Sequence, residues 1–188
     1  MEQIISKFML HSGGALGSDI AWQRIGEEYG LDRFHHYHIK GFGTPFGNDA
    51  IDLDTEMIKT IDADLIKANK TLKRSFPTRN AYVNNLLRRN WFQVKNSMAV
   101  YAISTITDNL VDGGTGWAVQ IAIDKRMPVF VFCQKRKKWF KYALSVWEET
   151  ETPVLTEHFA GIGTRELNAD GEKAIRNVYL KTIDTYDK

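Results

Sequence analysis

DGGTGWAVQIAI, residues 112–123, lies between two apolar runs, AVYAISTI at 99–106 and PVFVFC at 128–133. Short runs that are apolar throughout read as parallel strands buried on both faces. The segment 116–125 is long enough to cross between them as a helix. Gly113, Gly114 and Gly116 therefore fall where a strand hands over to a helix. At such a junction the first backbone N–H groups have no internal acceptor and the helix dipole adds partial positive charge, so the place suits an anion of phosphate size. The glycines let a phosphate approach bare backbone, and Thr115 adds a hydroxyl donor. The same residues equally suit tight packing of helix on sheet, and the two readings stand side by side here.

Two further glycine turns follow apolar runs: SGGALGSD at 12–19 after residues 8–11, and GIGTR at 161–165 after residues 153–160. Three strand-to-helix turns on one edge of one sheet make a single cleft. The fold class expected is α/β, a Rossmann-like, mostly parallel sheet with helices on both faces. With 188 residues, 43% of them hydrophobic, the chain is read as one domain with a real core.

Lys and Arg number 25 and Asp and Glu 23, a net charge of +2 that gives no reason to expect a surface built to coat a polyanion. The single cysteine, Cys133, excludes an intramolecular disulfide and an all-cysteine metal site, and reads as a small buried hydrophobe. No apolar span of membrane length is present and the N-terminus lacks a leader pattern, so a soluble, cytoplasmic protein without a membrane partner is expected. In FHHYHI, 34–39, His36 and His38 point to one face of a strand and His35 to the other. No third ligand accompanies them, so no metal is assigned, and His36 is kept as a ligand contact.

Along the rest of the chain, a strand at 7–11 leads into a helix at 18–29, closed by Gly30, with Ile20, Ala21, Trp22 and Ile25 on its inner side. Ser18 or Asp19 suits its N-cap; Asp19 equally suits a ribose hydroxyl. The stretch 41–48 is a turn-rich loop long enough to fold over a cleft, and 49–70 has the spacing of an amphipathic helix. A surface connection at 71–78 precedes a helix at 80–96, on which Asn90 and Gln93 share a side. Their amides suit either backbone groups or the edge of a base. Basic residues 135–138 beside Trp139 and Phe140 read as a solvated loop and a strand start rather than a nucleic-acid patch. The last helix, 168–186, is capped by Asn168 or Asp170.

Together the turns resemble those of the SLOG superfamily of nucleotide-binding proteins, which includes the DprA DNA-processing proteins, the LOG phosphoribohydrolases and the YpsA-like proteins. GIGTR is similar to that family's first-strand turn, SGGALGSD to its second, and RNWFQV (89–94) with DGGTGWAVQIA (112–122) to its later half. The GIGTR-like turn comes first in those relatives and near the C-terminus here, so the order looks circularly permuted. The strand at 153–160 is then expected to lie centrally beside 7–11, with Met1 and Lys188 close together.

The resemblance implies a cleft for a small nucleotide-derived ligand, with no separate cofactor. Its candidate contacts are Ser12, Gly13, Gly14, Ser18, Asp19, His36, Asn90, Gln93, Asp112, Gly113, Gly114, Thr115, Gly116, Gly161, Gly163, Thr164 and Arg165. Arg165 supplies a planar cation suited to phosphate oxygens. LOG enzymes carry PGGxGTxxE, and the position of that glutamate is Gln120 here. An amide has no titratable proton in the useful range, which argues against LOG chemistry unless Asp112 or Asp19 acts in its place. Three functions follow in order: capture of a signalling nucleotide, cyclic or of the cyclic ADP-ribose type, as in sensors of prokaryotic antiviral systems; cleavage of an N-glycosidic bond; and single-stranded DNA binding, against which the near-neutral charge weighs. Family members are commonly oligomers, and Trp91, Trp117, Trp139 and Trp147 are candidates for either a subunit contact or the core.

Overall fold

The computed structural model describes residues 4–39, 50–54, 56, 58 and 60–187. After a 3-10 turn at Ile4–Lys7, the chain runs β1 (Met9–Ser12), α1 (Ser18–Glu28), β2 (Phe34–Ile39), β3 (Ala50–Leu53), α2 (Asp62–Leu72), α3 (Ala81–Lys95) and β4 (Ala99–Ser104). A small ribbon, β5 (Ile106–Thr107) and β6 (Leu110–Val111), comes next. The chain continues through α4 (Thr115–Asp124), β7 (Val129–Cys133), β8 (Lys138–Ala143), β9 (Val146–Thr150), β10 (His158–Gly163) and α5 (Ala169–Tyr186).

One sheet of eight strands has the order β3-β2-β1-β10-β4-β7-β8-β9. The pairings from β3 to β7 are parallel, and β8 and β9 are added antiparallel at one edge. This is the α/β, Rossmann-like arrangement expected. β10 lies between β1 and β4, the central place predicted for it. Residues 99–103 are apolar at every position because the two faces of β4 are both covered. Val100 and Ala102 join Leu65, Leu87, Val94 and Ile121 under α2, α3 and α4, whereas Tyr101 and Ile103 join Trp22, Ile25, Ile175 and Tyr179 under α1 and α5.

Asn80 caps α3 by accepting from Tyr82 and Val83 N–H, and Asn168, the first of the two caps expected, accepts from Gly171 N–H at 2.9 Å. The ring of Phe8 meets that of Tyr186 at 5.6 Å, so the described ends of the chain are neighbours. The expectation for Met1 and Lys188 themselves, like that for the loop at 41–48, lies outside the described residues.

Three expectations change. The helix read over 49–70 starts later: Ala50–Leu53 is a strand, with Tyr37 opposite Ile51 and Ile39 opposite Leu53. Pairing beside β2 buries Leu53 to 1% exposure, and this tertiary gain overrides helical spacing. The glycines of GIGTR do not form the turn, because Gly161 and Gly163 are the last part of β10. Residues 146–150 form a second hairpin strand that periodicity did not reveal, closed by Leu144 and Ser145 at positive φ. Trp117 and Trp139 are buried, and Trp91 and Trp147 pack partly buried against the core. Among the described residues no helix is long and apolar enough to cross a membrane.

Candidate functional site

From β1 the chain crosses through α1 to β2, and from β4 through α4 to β7 on the opposite side, so the carboxyl ends of β1, β10 and β4 enclose a switch-point crevice. A cleft of about 560 Å³ lies there, lined by Asp19, Gly163, Thr164 and Arg165, by Asp112, Gly113, Gly114 and Thr115, and by Arg89, Asn90 and Gln93 of α3. A recess of about 280 Å³ continues from it over Gly13, Gly14, Leu16, His36 and Tyr82. Ala15, Leu86, Arg89 and Arg165 line both chambers and form a waist between them. The three turns thus meet as the sequence predicts.

Behind the wall lie Ser12, Ser18, Gly116 and Gly161. Ser12 accepts from Gly14 N–H at 3.2 Å, and Ser18 donates its hydroxyl to Thr164 C=O at 2.8 Å. A Cβ on Gly116 would sit 2.0 Å from Val111 O, and one on Gly161 2.7 Å from Trp22, so both glycines serve close packing.

The first turn already holds an anion, its own. Asp19, 6% exposed, accepts N–H bonds from Gly13 (3.2 Å), Ala15 (3.5 Å) and Gly163 (3.1 Å). Neither it nor Ser18 caps α1 as expected: the N-cap is Gly17, at φ 95°, without a side-chain cap bond. A Cβ on Gly17 would lie 2.6 Å from the backbone of Thr164 and Arg165, so two glycine turns interlock with no room between them. Burial pushes the Asp19 carboxyl up from its ordinary value, against the pull of Arg89 and the three N–H donors.

The central turn differs. The N–H groups of Gly113, Gly114 and Thr115 find no acceptor among the described residues, whereas those of Asp112, Gly116 and Trp117 bond to Thr105, Asp112 and Gly114 carbonyls. Nothing lies within 4 Å of a Cβ placed on Gly113 or Gly114. Gly113, at φ 62°, turns the chain here, and all three residues line the cleft. Its shape is fixed from outside: Arg74 donates to Val111 O and Gly113 O, both at 2.7 Å, and Asn90 donates to Gly114 O at 3.2 Å. Asn90 therefore takes the backbone-satisfying role. Asp112 is exposed at the rim and accepts from the Thr107 hydroxyl at 3.1 Å.

Cations and unpaired donors complete the wall. Arg165 is exposed and makes no ion pair among the described residues. The buried Nε of Arg89 and Nε2 of Gln93 have no hydrogen-bond partner. Burial lowers the Arg89 guanidinium from its ordinary value, Asp19 opposes that shift and Arg165 adds to it, leaving two neighbouring cations.

No protein-family model, curated protein or solved structure matches this chain.

Gln120 faces elsewhere, donating to Asp124 at 2.9 Å, and does not line the cleft. His36 is buried at the recess wall. His11, a residue not singled out from the sequence, lies on the opposite face of the sheet from Leu10 and bonds Tyr37 Oη at 2.9 Å and His158 Nδ1 at 3.1 Å. Among the described residues no group of His, Cys, Asp and Glu is placed to hold a metal. Sequence reasoning also missed Arg74 and Arg89. Arg88 and Arg89 are adjacent in sequence, but Arg88 is engaged by Asp62 through two bonds of 2.7 Å, and only the helix phase separates their roles.

Proposed function

We propose that the protein binds a nucleotide-derived small molecule in this cleft, with a phosphoryl group on the N–H groups of Gly113, Gly114 and Thr115. The observation that carries the reading is that open turn: unsatisfied N–H donors at the start of a ten-residue helix, held in shape by Arg74 and Asn90. Gln93, 2% exposed with an unpaired amide, supplies a second, independent donor in the same cleft. Cleft and recess together have the size of a small-molecule site. Exposed Leu16 and Tyr82 at the recess offer apolar surface to a base. The resemblance to SLOG proteins leads to the same class of ligand.

Capture without turnover is the preferred form of the reading. Asp19 is tied to three backbone donors, Asp112 is held at the rim by Thr107, and Gln120 points away, so none of these three positions offers a free, centrally placed carboxylate as a base. Protein purified from cells is denatured and the released small molecules are identified by mass spectrometry, then returned to fresh protein. An intact nucleotide that survives incubation supports capture. Release of a free base would replace this reading with N-glycosidic cleavage.

A further inference from the structure

The first turn follows β1, and the central turn follows β4 by way of the β5–β6 ribbon; with β10 between them, the two strands that lead to these turns lie two strand spacings apart, about 10 Å. Each offers a different kind of anion contact. At the central turn the donors are backbone N–H groups. Over the first turn they are side chains: a Cβ on Gly13 would lie 2.6 Å from Gln93 Nε2 and 2.8 Å from an Arg89 Nη, so this amide and guanidinium converge on one spot. Gln93 is 2% exposed and its Nε2 unpaired, and the Arg89 Nε is likewise without a partner. Arg165 stands beside them at the waist, close enough to Arg89 for the two charges to repel. Asp19 answers only one of these cations and is itself bound by three N–H groups. Two adjacent guanidinium groups and a buried unpaired amide form a site completed by an external anion.

Resting on the proposed phosphate site at Gly113–Thr115, we infer that the ligand carries two phosphoryl groups held apart by a sugar, the second seated on Arg89, Arg165 and Gln93. Two phosphoryl groups joined directly are too close to reach both turns, whereas a ribose between them supplies the spacing. The waist position of the second group then directs the nucleoside towards the recess at Tyr82 and Leu16.

Calorimetric titration of the full chain with adenosine 5′-monophosphate, adenosine 5′-diphosphate and adenosine 3′,5′-bisphosphate, and with the guanosine counterparts, tests this. The bisphosphate is expected to bind at least tenfold more tightly than either of the others. Arg165→Gln, at an exposed position, should bring that ratio towards one, and Gln93→Leu, checked for folding by circular dichroism, should do the same. Equal affinities for all three probes, with binding abolished by Gly114→Val, would overturn the two-site inference and leave the phosphate cradle standing. Absence of binding of every probe at millimolar concentration would overturn both.

Discussion

Backbone N–H groups of Gly13, Ala15 and Gly163 converge on Asp19, so removing its carboxylate strands buried donors and the positive charge of Arg89 together. Asp19→Ala is expected to cost about 3 kcal/mol in urea denaturation, the range for leaving buried polar and charged groups unpaired. A loss below ~1 kcal/mol would mean that the turn keeps its shape without the carboxylate. Gly114 is the converse case. Its φ of −63° suits any residue and its Cβ direction is empty, so Gly114→Val should melt within a degree or two of the parent while losing ligand. At His11, burial and then the neighbouring His35 and His158 bring the imidazole from 6.5 down to about 4. The unfolded chain takes up this proton first, so the contribution of neutral His11 is fully present above about 6.5 and is lost as pH falls towards 4. In His11→Asn, the stability gap to the parent, measured as urea midpoints at pH 7 and 4.5, should narrow at the lower pH. A constant gap would assign His11 a packing role alone.

Between elements, the glycines divide by what stands opposite them. A Cβ on Gly163 would meet Ile103 O at 2.4 Å and Ser18 at 2.6 Å, at the seam where β10, β4 and the start of α1 touch. Gly163→Ala is expected to destabilise by about 1–3 kcal/mol, a drop of several degrees in Tm, against almost none for Gly114→Ala. This division marks what was legible in the sequence. Runs such as 8–11 and 99–106 announced buried strands, and the glycines after them announced the handover to helices. Their roles were not legible: Gly114 opens on the cleft and Gly116, two residues on, abuts Val111 O, because one lies before the first helical turn and the other within it. β3 was hidden because Ile51 and Leu53, besides alternating as in a strand, stand at helical spacing from Ile58 and Met57, seven and four residues on, and only β2 decides between the two. Arg74 was hidden in a polar connection, since nothing local says that it reaches back to Val111 and Gly113.

Across the whole molecule the sheet has one antiparallel margin, β8 and β9, laid along β7. β9 is an edge, and its exposed Glu148 and Glu149 put charge where another strand would pair. Glu148→Val with Glu149→Val is expected to produce larger assemblies in sedimentation velocity at unchanged secondary structure. Unaltered sedimentation would show that the margin is protected by other means. On the far side of the sheet core, Asp64 of α2 accepts from Trp91 Nε1 of α3 at 2.5 Å and pairs with Lys125 after α4 at 2.7 Å, tying together the three helices that carry the cleft's α3 and α4 walls. The hydrogen bonds between Ser18 and Thr164 join positions 146 residues apart. A contact of that span closes only after the long stretch between its partners has been made and collapsed, so the floor of the cleft gains its shape late as the chain emerges. A ligand laid across that seam would hold the two distant stretches together, and its grip would be felt as slower unfolding of the entire protein rather than as local stiffening.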